Sequence, residues 1–138
     1  LVFKTPWGRN NLMLHYIEIM EGVTSIGAFA FANPSIGEVY ICSDAKLRKI
    51  GSSAFKGTCI SNINLPNEIT VIGESAFADC KYLTNVYLPN LIEEIGAYAF
   101  DGCKSASLTL TKNLRRVGEG ASWAVILHHG RTPKSWSI

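Results

Sequence analysis

The sequence predicts a small α/β solenoid, in which short repeats stack so that their strands form one parallel sheet. Three observations predict it. A six-residue pattern returns at nearly equal intervals. A short apolar–x–apolar pattern stands at a fixed distance before it. Each copy carries too little apolar surface to fold alone, so copies must stack on one another.

The six-residue pattern is Ile-Gly, two variable residues, then Ala-Phe. Its copies are Ile26-Gly27-Ala28-Phe29-Ala30-Phe31, Ile50-Gly51-Ser52-Ser53-Ala54-Phe55, Ile72-Gly73-Glu74-Ser75-Ala76-Phe77 and Ile95-Gly96-Ala97-Tyr98-Ala99-Phe100. An eroded fifth copy is Val117-Gly118-Glu119-Gly120-Ala121-Ser122, and the steps between copies are 24, 22, 23 and 22 residues. The glycine suits a tight corner, where a side chain would collide or where φ must be positive. Ala-Phe supplies one small and one large core residue. Stacked copies therefore predict an internal ladder of Phe31, Phe55, Phe77 and Phe100. Each buried ring contributes about 1.5–3 kcal/mol.

The second pattern ends seven residues before each Ile-Gly, at Ile19, Leu65, Leu88 and Leu110, with Ile17, Ile63, Val86 and Leu108 two places earlier. Period two means a short strand with one buried face. Pro66 and Pro89 follow two of these strands, where a missing N–H ends ladder pairing. The second repeat departs: its strand is Val39-Tyr40-Ile41, and nine residues separate Ile41 from Ile50, an insertion of two. On the other side of each repeat we expect loops or short helical turns.

Composition narrows the function classes. The chain has 138 residues, 47% hydrophobic and 17% charged, with a net charge of +2. That is one domain of ordinary globular character. The charge is too small to make nucleic acid the main partner. No apolar run approaches the roughly 20 residues that span a bilayer. The chain begins at Leu1 without a leader pattern, so any targeting signal is expected outside it. No Gly-x-Ser-x-Gly elbow, His-Glu-x-x-His motif or phosphate loop is present. We expect no enzymatic activity, no cofactor and no bound metal. Asp44, Asp79 and Asp101 fall in loops where solvated carboxylates are ordinary. His128-His129 are adjacent and on a strand would point to opposite faces, a poor arrangement for one ion. His15 reads as an ordinary residue near the first strand. Lys112, Arg115 and Arg116 read as a solvated basic edge.

Cys42, Cys59, Cys80 and Cys103 lack paired CxxC spacing, which argues against zinc. Cys80 and Cys103 share a repeat slot that Pro34 fills in the first repeat, and Thr58 or Cys59 in the second. Stacked reduced thiols acting as small hydrophobes are the favoured reading. A disulfide between adjacent rungs, about 4.8 Å apart, is the alternative.

These residues resemble the leucine-rich-repeat subfamily named after the Bacteroides surface protein BspA. Its pattern is roughly Leu-x-x-Val-x-Leu-Pro, a spacer, then Val-x-x-Ile-Gly-x-x-Ala-Phe-x-x-Cys. The best copy here runs from Leu83-Thr84-Asn85-Val86-Tyr87-Leu88-Pro89 through Ile95-Gly96 and Ala99-Phe100 to Cys103. The opening, with Thr5-Pro6-Trp7, and the close, His128-His129-Gly130-Arg131-Thr132 with Trp136, are similar to the ends of such arrays, although two histidines replace two tyrosines. The resemblance implies a right-handed solenoid in a single domain over 1–138: an N-terminal cap at 1–16, repeats at 17–122 and a C-terminal cap at 123–138. Trp7 and Trp136 would then cover the two core edges.

If Val86 and Leu88 point inward, Tyr87 and Asn85 point outward. The same phase places Glu18, Tyr40, Asn64, Tyr87 and Thr109 in one outward row. Glu38, Asn62, Asn85 and Ser107 flank it. Tyrosine offers large contact area with a polar tip, which suits recognition. The resemblance implies an extracellular or surface-attached module that binds a protein or glycan through the concave sheet face. The alternatives are a structural spacer or a regulatory arm of a larger protein.

Overall fold

The computed structural model describes residues 14–103, 107–108 and 111–121, and for Asn85, Ser107 and Leu108 the backbone only. In chain order the strands are β1 (Tyr16–Ile19), β2 (Ser25–Ile26), β3 (Glu38–Ile41), β4 (Lys49–Ile50), β5 (Val71–Ile72), β6 (Asn85–Val86), β7 (Glu94–Ile95), β8 (Ser107–Leu108) and β9 (Arg116–Val117). The terminal caps expected at 1–16 and 123–138, with all three tryptophans, lie almost wholly outside the described residues.

The strands expected from the apolar–x–apolar pattern form the first face. β1 pairs with β3 in parallel, with Ile17 beside Val39 and Ile19 beside Ile41. β6 pairs with β8, and Ile63 bridges Val86. The face is discontinuous for sequence reasons. The two-residue insertion after Ile41 offsets the second rung from the third. Pro66 follows the Ile63 bridge and Pro89 follows β6, and neither proline supplies an amide donor.

A second face is a correction to the single sheet expected. The Ile-Gly segments are themselves strands. They form a continuous five-stranded parallel sheet in the order β2-β4-β5-β7-β9. Ile26, Ile50, Ile72, Ile95 and Val117 stack in register along it. The ladder extends beyond the named strands, because Gly51, Gly73, Gly96 and Gly118 each donate to the isoleucine carbonyl of the rung before, at 2.8 Å. Five such strands separate four complete turns of the solenoid.

The glycine in Ile-Gly is there for close approach, not for φ. A Cβ on Gly73 would lie 2.8 Å from Gly51 C and Ser52 N. On Gly51 it would lie 2.7 Å from the Ile26 carbonyl oxygen. The positive φ falls two residues later, at Phe29, Ser53, Ser75 and Tyr98, each with φ between 54° and 57°. In the fifth copy this slot is Gly120.

That slot explains why no helix occurs among the described residues, where short helical turns and an α/β class were expected. A left-handed residue right after Gly-x ends any right-handed helical turn before it nucleates. The amides turn to the neighbouring rung instead. Phe29, Ser53, Ser75 and Tyr98 donate to carbonyls of the next rung at 2.8–3.0 Å, and so do Phe31, Phe55, Phe77 and Phe100. The solenoid is thus bonded along its axis on both sides, with donors pointing back on the second face and forward on the turn side.

The expected ladder is present inside. Phe31, Phe55, Phe77 and Phe100 stack with centroids 5.6, 5.3 and 5.3 Å apart. Phe55 and Phe77 are fully buried, and Ala54, Ala76 and Ala99 beside them have no exposed surface. Ile17, Ile19, Ile41, Ile63, Val86 and Leu88 fill the core from the first face.

Candidate ligand-binding face

The inward residues of the first face fix the outward ones by alternation. β1 reads exposed, buried, exposed, buried over Tyr16, Ile17, Glu18 and Ile19. In β3, Glu38 and Tyr40 are exposed. The structure therefore puts Glu18, Tyr40, Asn64 and Tyr87 on the outside of one face, as the pattern implied, with Tyr87 71% exposed. The backbone of Asn85 continues that face in β6, and Thr109 lies outside the described residues. Sequence phase alone missed Tyr16. Its signal was plain in retrospect: it stands two residues before Glu18, in the slot of Glu38.

Register brings four of these residues together. Tyr16 is the Cα partner of Glu38, and Glu18 is the partner of Tyr40. Adjacent strands are about 4.8 Å apart, and residues two apart on one strand are separated by about 6.6 Å. Two tyrosines and two glutamates thus alternate at the corners of a small rectangle. The Tyr16 phenol is pushed above its ordinary value, first by partial loss of solvent and then by Glu18, Tyr40 and Glu38. Neither glutamate has an ion-pair partner among the described residues. Among the described residues an ion pair forms between Arg116 and Glu94 at 3.1 Å, exposed on the second face.

The cysteines are free thiols. They are structural in position. Cys80 is buried and donates to the Phe55 carbonyl at 3.1 Å, while Cys103, half-buried, donates to the Phe77 carbonyl at 3.1 Å. Each closes a carbonyl of the rung before. Thr58, not Cys59, holds the equivalent slot in the second repeat: it is buried with its hydroxyl 3.3 Å from Cys80 Sγ. Cys59 is exposed, with its thiol donating to the Pro34 carbonyl. Burial pushes the Cys103 thiol up to about 12, with the neighbouring Cys80 adding to the shift. Burial also raises Cys80, against the opposing hydrogen bond of Thr58.

Two results follow for the thiols. In native protein at mildly alkaline pH, a chromogenic disulfide reagent should label Cys59 first, and Cys80 and Cys103 only after denaturant is added; equal rates at all four would sink this. Stability should also fall as pH rises from about 9 toward 12, because the unfolded thiols ionise in that window and the folded Cys103 does not. A Cys103→Ala variant should lose part of that alkaline slope.

No group of three or more His, Cys, Asp or Glu side chains able to hold a metal converges among the described residues. His128 and His129 lie outside them. His15 contacts the segment leading into β3, its Nδ1 3.0 Å from the Ser35 carbonyl oxygen. No helix among the described residues is long and apolar enough to cross a membrane.

Parallel rungs of a short apolar strand, an Ile-Gly strand and a phenylalanine-bearing turn define a solenoid of the leucine-rich-repeat class. The chain belongs to the BspA type leucine-rich-repeat family, whose profile matches residues 9–123 in six copies, one more than the motif count. Among solved structures, it is similar to the leucine-rich-repeat protein of T. pallidum, with 27% identity and a TM-score of 0.71, covering 87% of this chain and 62% of that one. A leucine-rich-repeat protein of Bacteroides ovatus is 29% identical with a TM-score of 0.59, over 76% of this chain and 33% of that one. The pneumococcal vaccine antigen PcpA shares the fold at 18% identity, with a TM-score of 0.59 over 72% of this chain and 31% of that one. The chain therefore spans less than two thirds of the length of each of these relatives. No curated protein matches it at a significant level.

Proposed function

We propose that this chain is a non-enzymatic recognition module of a secreted or surface-attached protein, and that it binds a protein or glycan through the outward side chains of the first face. The observation that carries this reading is the exposed row of Glu18, Tyr40, Asn64 and Tyr87. Large amphipathic side chains held on stacked rungs lose little freedom on binding, and tyrosine is enriched where proteins recognise one another. The rungs are backed by the buried side chains of Ile17, Ile41, Ile63 and Val86, so the row is pre-organised. Membership of a family named for a surface protein supports the location, and the absence of a motif for chemistry supports a binding role.

The second reading is a spacer that holds another domain away from a surface. Binding of matrix proteins and of an oligosaccharide panel to the whole chain separates the two. Under the recognition reading, Tyr40→Ala and Tyr87→Ala each weaken the ligand found by about tenfold, the cost of about 1.4 kcal/mol at one aromatic contact. A panel with no binder, or a binder indifferent to both changes, favours the spacer.

A further inference from the structure

We propose that the Tyr16–Glu18–Glu38–Tyr40 rectangle is a receptor for a cationic side chain, an arginine or lysine presented by a protein partner. This rests on the recognition reading above and names the ligand chemistry at one end of that face. Three features of the rectangle support it.

The first is arrangement. In register, each tyrosine stands beside a glutamate across the strands and two residues from another along its own strand. A guanidinium set over a tyrosine ring is then within reach of a carboxylate. Both contacts favour the same ligand, since the ring face is negative and the carboxylate accepts N–H donors. The second is charge. The molecule carries +2 overall, yet this corner carries two carboxylates with no ion-pair partner among the described residues. Glu21 and Asp44, both exposed, follow the same two strands and add to the negative field. The described basic residues of these rungs lie elsewhere in the chain: Lys46, Arg48 and Lys49 in and just before β4, and Lys56 in the turn that follows it. The third is order. Ile17 and Ile19 are buried between the outward residues, so their backbone is held fast. A neutral sugar would gain ring stacking but would leave the negative field unanswered. A cation answers both.

The test uses the full chain and two blocked peptides, Gly-Arg-Gly-Arg-Gly and Gly-Gln-Gly-Gln-Gly, titrated at low and high salt and followed by amide chemical shifts. The arginine peptide should bind about tenfold or more tightly than the glutamine peptide, should move the resonances of residues 16–18 and 38–40, and should weaken at high salt. Glu18→Gln with Glu38→Gln should remove the preference. Tyr16→Leu with Tyr40→Leu should weaken binding by about two- to fivefold while keeping the charge, as expected for exposed cation–π contacts. All four side chains are exposed, so these variants keep the core, and unchanged circular dichroism checks that. Phe29→Ala, which removes an exposed ring on the turn side of the first rung, should leave arginine binding unchanged. Equal binding of the two peptides, a neutral oligosaccharide that moves the same resonances more strongly, or indifference to the glutamine changes overturns the proposal. A ligand that depends on Tyr87 but not on Tyr16 or Glu38 would overturn it while leaving the recognition reading intact.

Discussion

Replacing Phe77 with Ala should cost about 3–5 kcal/mol of folding stability, the usual range for truncating a buried ring. Phe77 is fully buried and stacks on Phe55 and on Phe100, each at 5.3 Å with planes 6° apart. Its removal opens a void that touches three rungs. A solenoid has no distant contacts to bridge such a void, because each rung touches its neighbours only. Against a typical total of about 5–15 kcal/mol, the loss is a large share. Urea unfolding followed by circular dichroism should show a lower midpoint. A shallower slope would mean that the array now opens in two parts. Phe29→Ala is the control. It removes the same ring two places before the ladder, at a position 65% exposed, and should change stability by no more than about 0.5 kcal/mol. A Phe29 change as costly as the Phe77 change would contradict the ladder as the core of the fold.

The contrast between those two phenylalanines marks how far the sequence could be read. Ile26-Gly27-Ala28-Phe29-Ala30-Phe31 holds two aromatic residues, and only the period selects Phe31 as the internal one. Period also fixed the inward phase of Ile17, Ile63 and Val86, and with it the outward row of Glu18, Tyr40, Asn64 and Tyr87. The second sheet was not legible. Its strands are two residues long, and alternation cannot be recognised in Ser25-Ile26 or Lys49-Ile50. They exist because neighbouring rungs supply their partners, which is a property of stacking and not of local preference. The left-handed slot was hidden for a different reason. Phe29, Ser53, Ser75 and Tyr98 are two serines and two aromatic residues, and none is a residue that favours positive φ. Only Gly120 in the fifth copy advertises the conformation. The rectangle at Tyr16 needed register as well as phase: sequence spacing places each residue on a face, but pairing across strands decides which outward residues become neighbours.

Gly73→Ala should be among the most damaging single-methyl additions in the chain, at about 3 kcal/mol or more, the upper part of the range for overpacking. The reason lies in what the methyl would meet. The nearest atoms are Gly51 C and Ser52 N at 2.8 Å and the Ile50 carbonyl oxygen at 2.9 Å, all of them backbone of the rung before. A side chain in the way could rotate aside; a backbone already bonded to its neighbours cannot. Relief would require the two rungs to separate. That separation would stretch the bond from the Gly73 amide to the Ile50 carbonyl, now 2.8 Å, and loosen the Phe55–Phe77 stack on the opposite side. Gly96 and Gly118 face the same obstacle, at the amides of Glu74 and Ala97. The spacing of the rungs is therefore set from two sides at once, by ring thickness in the core and by bare glycine on the second face. Gly37→Ala tests the point, because a methyl there meets nothing within 4 Å and φ is not positive. Its effect should stay within about 0.5 kcal/mol, or be slightly stabilising through the unfolded chain. Thermal or urea unfolding of the two variants should differ clearly in midpoint. If Gly73→Ala proves as mild as Gly37→Ala, the Ile-Gly glycine is not the contact that sets how closely the repeats stack.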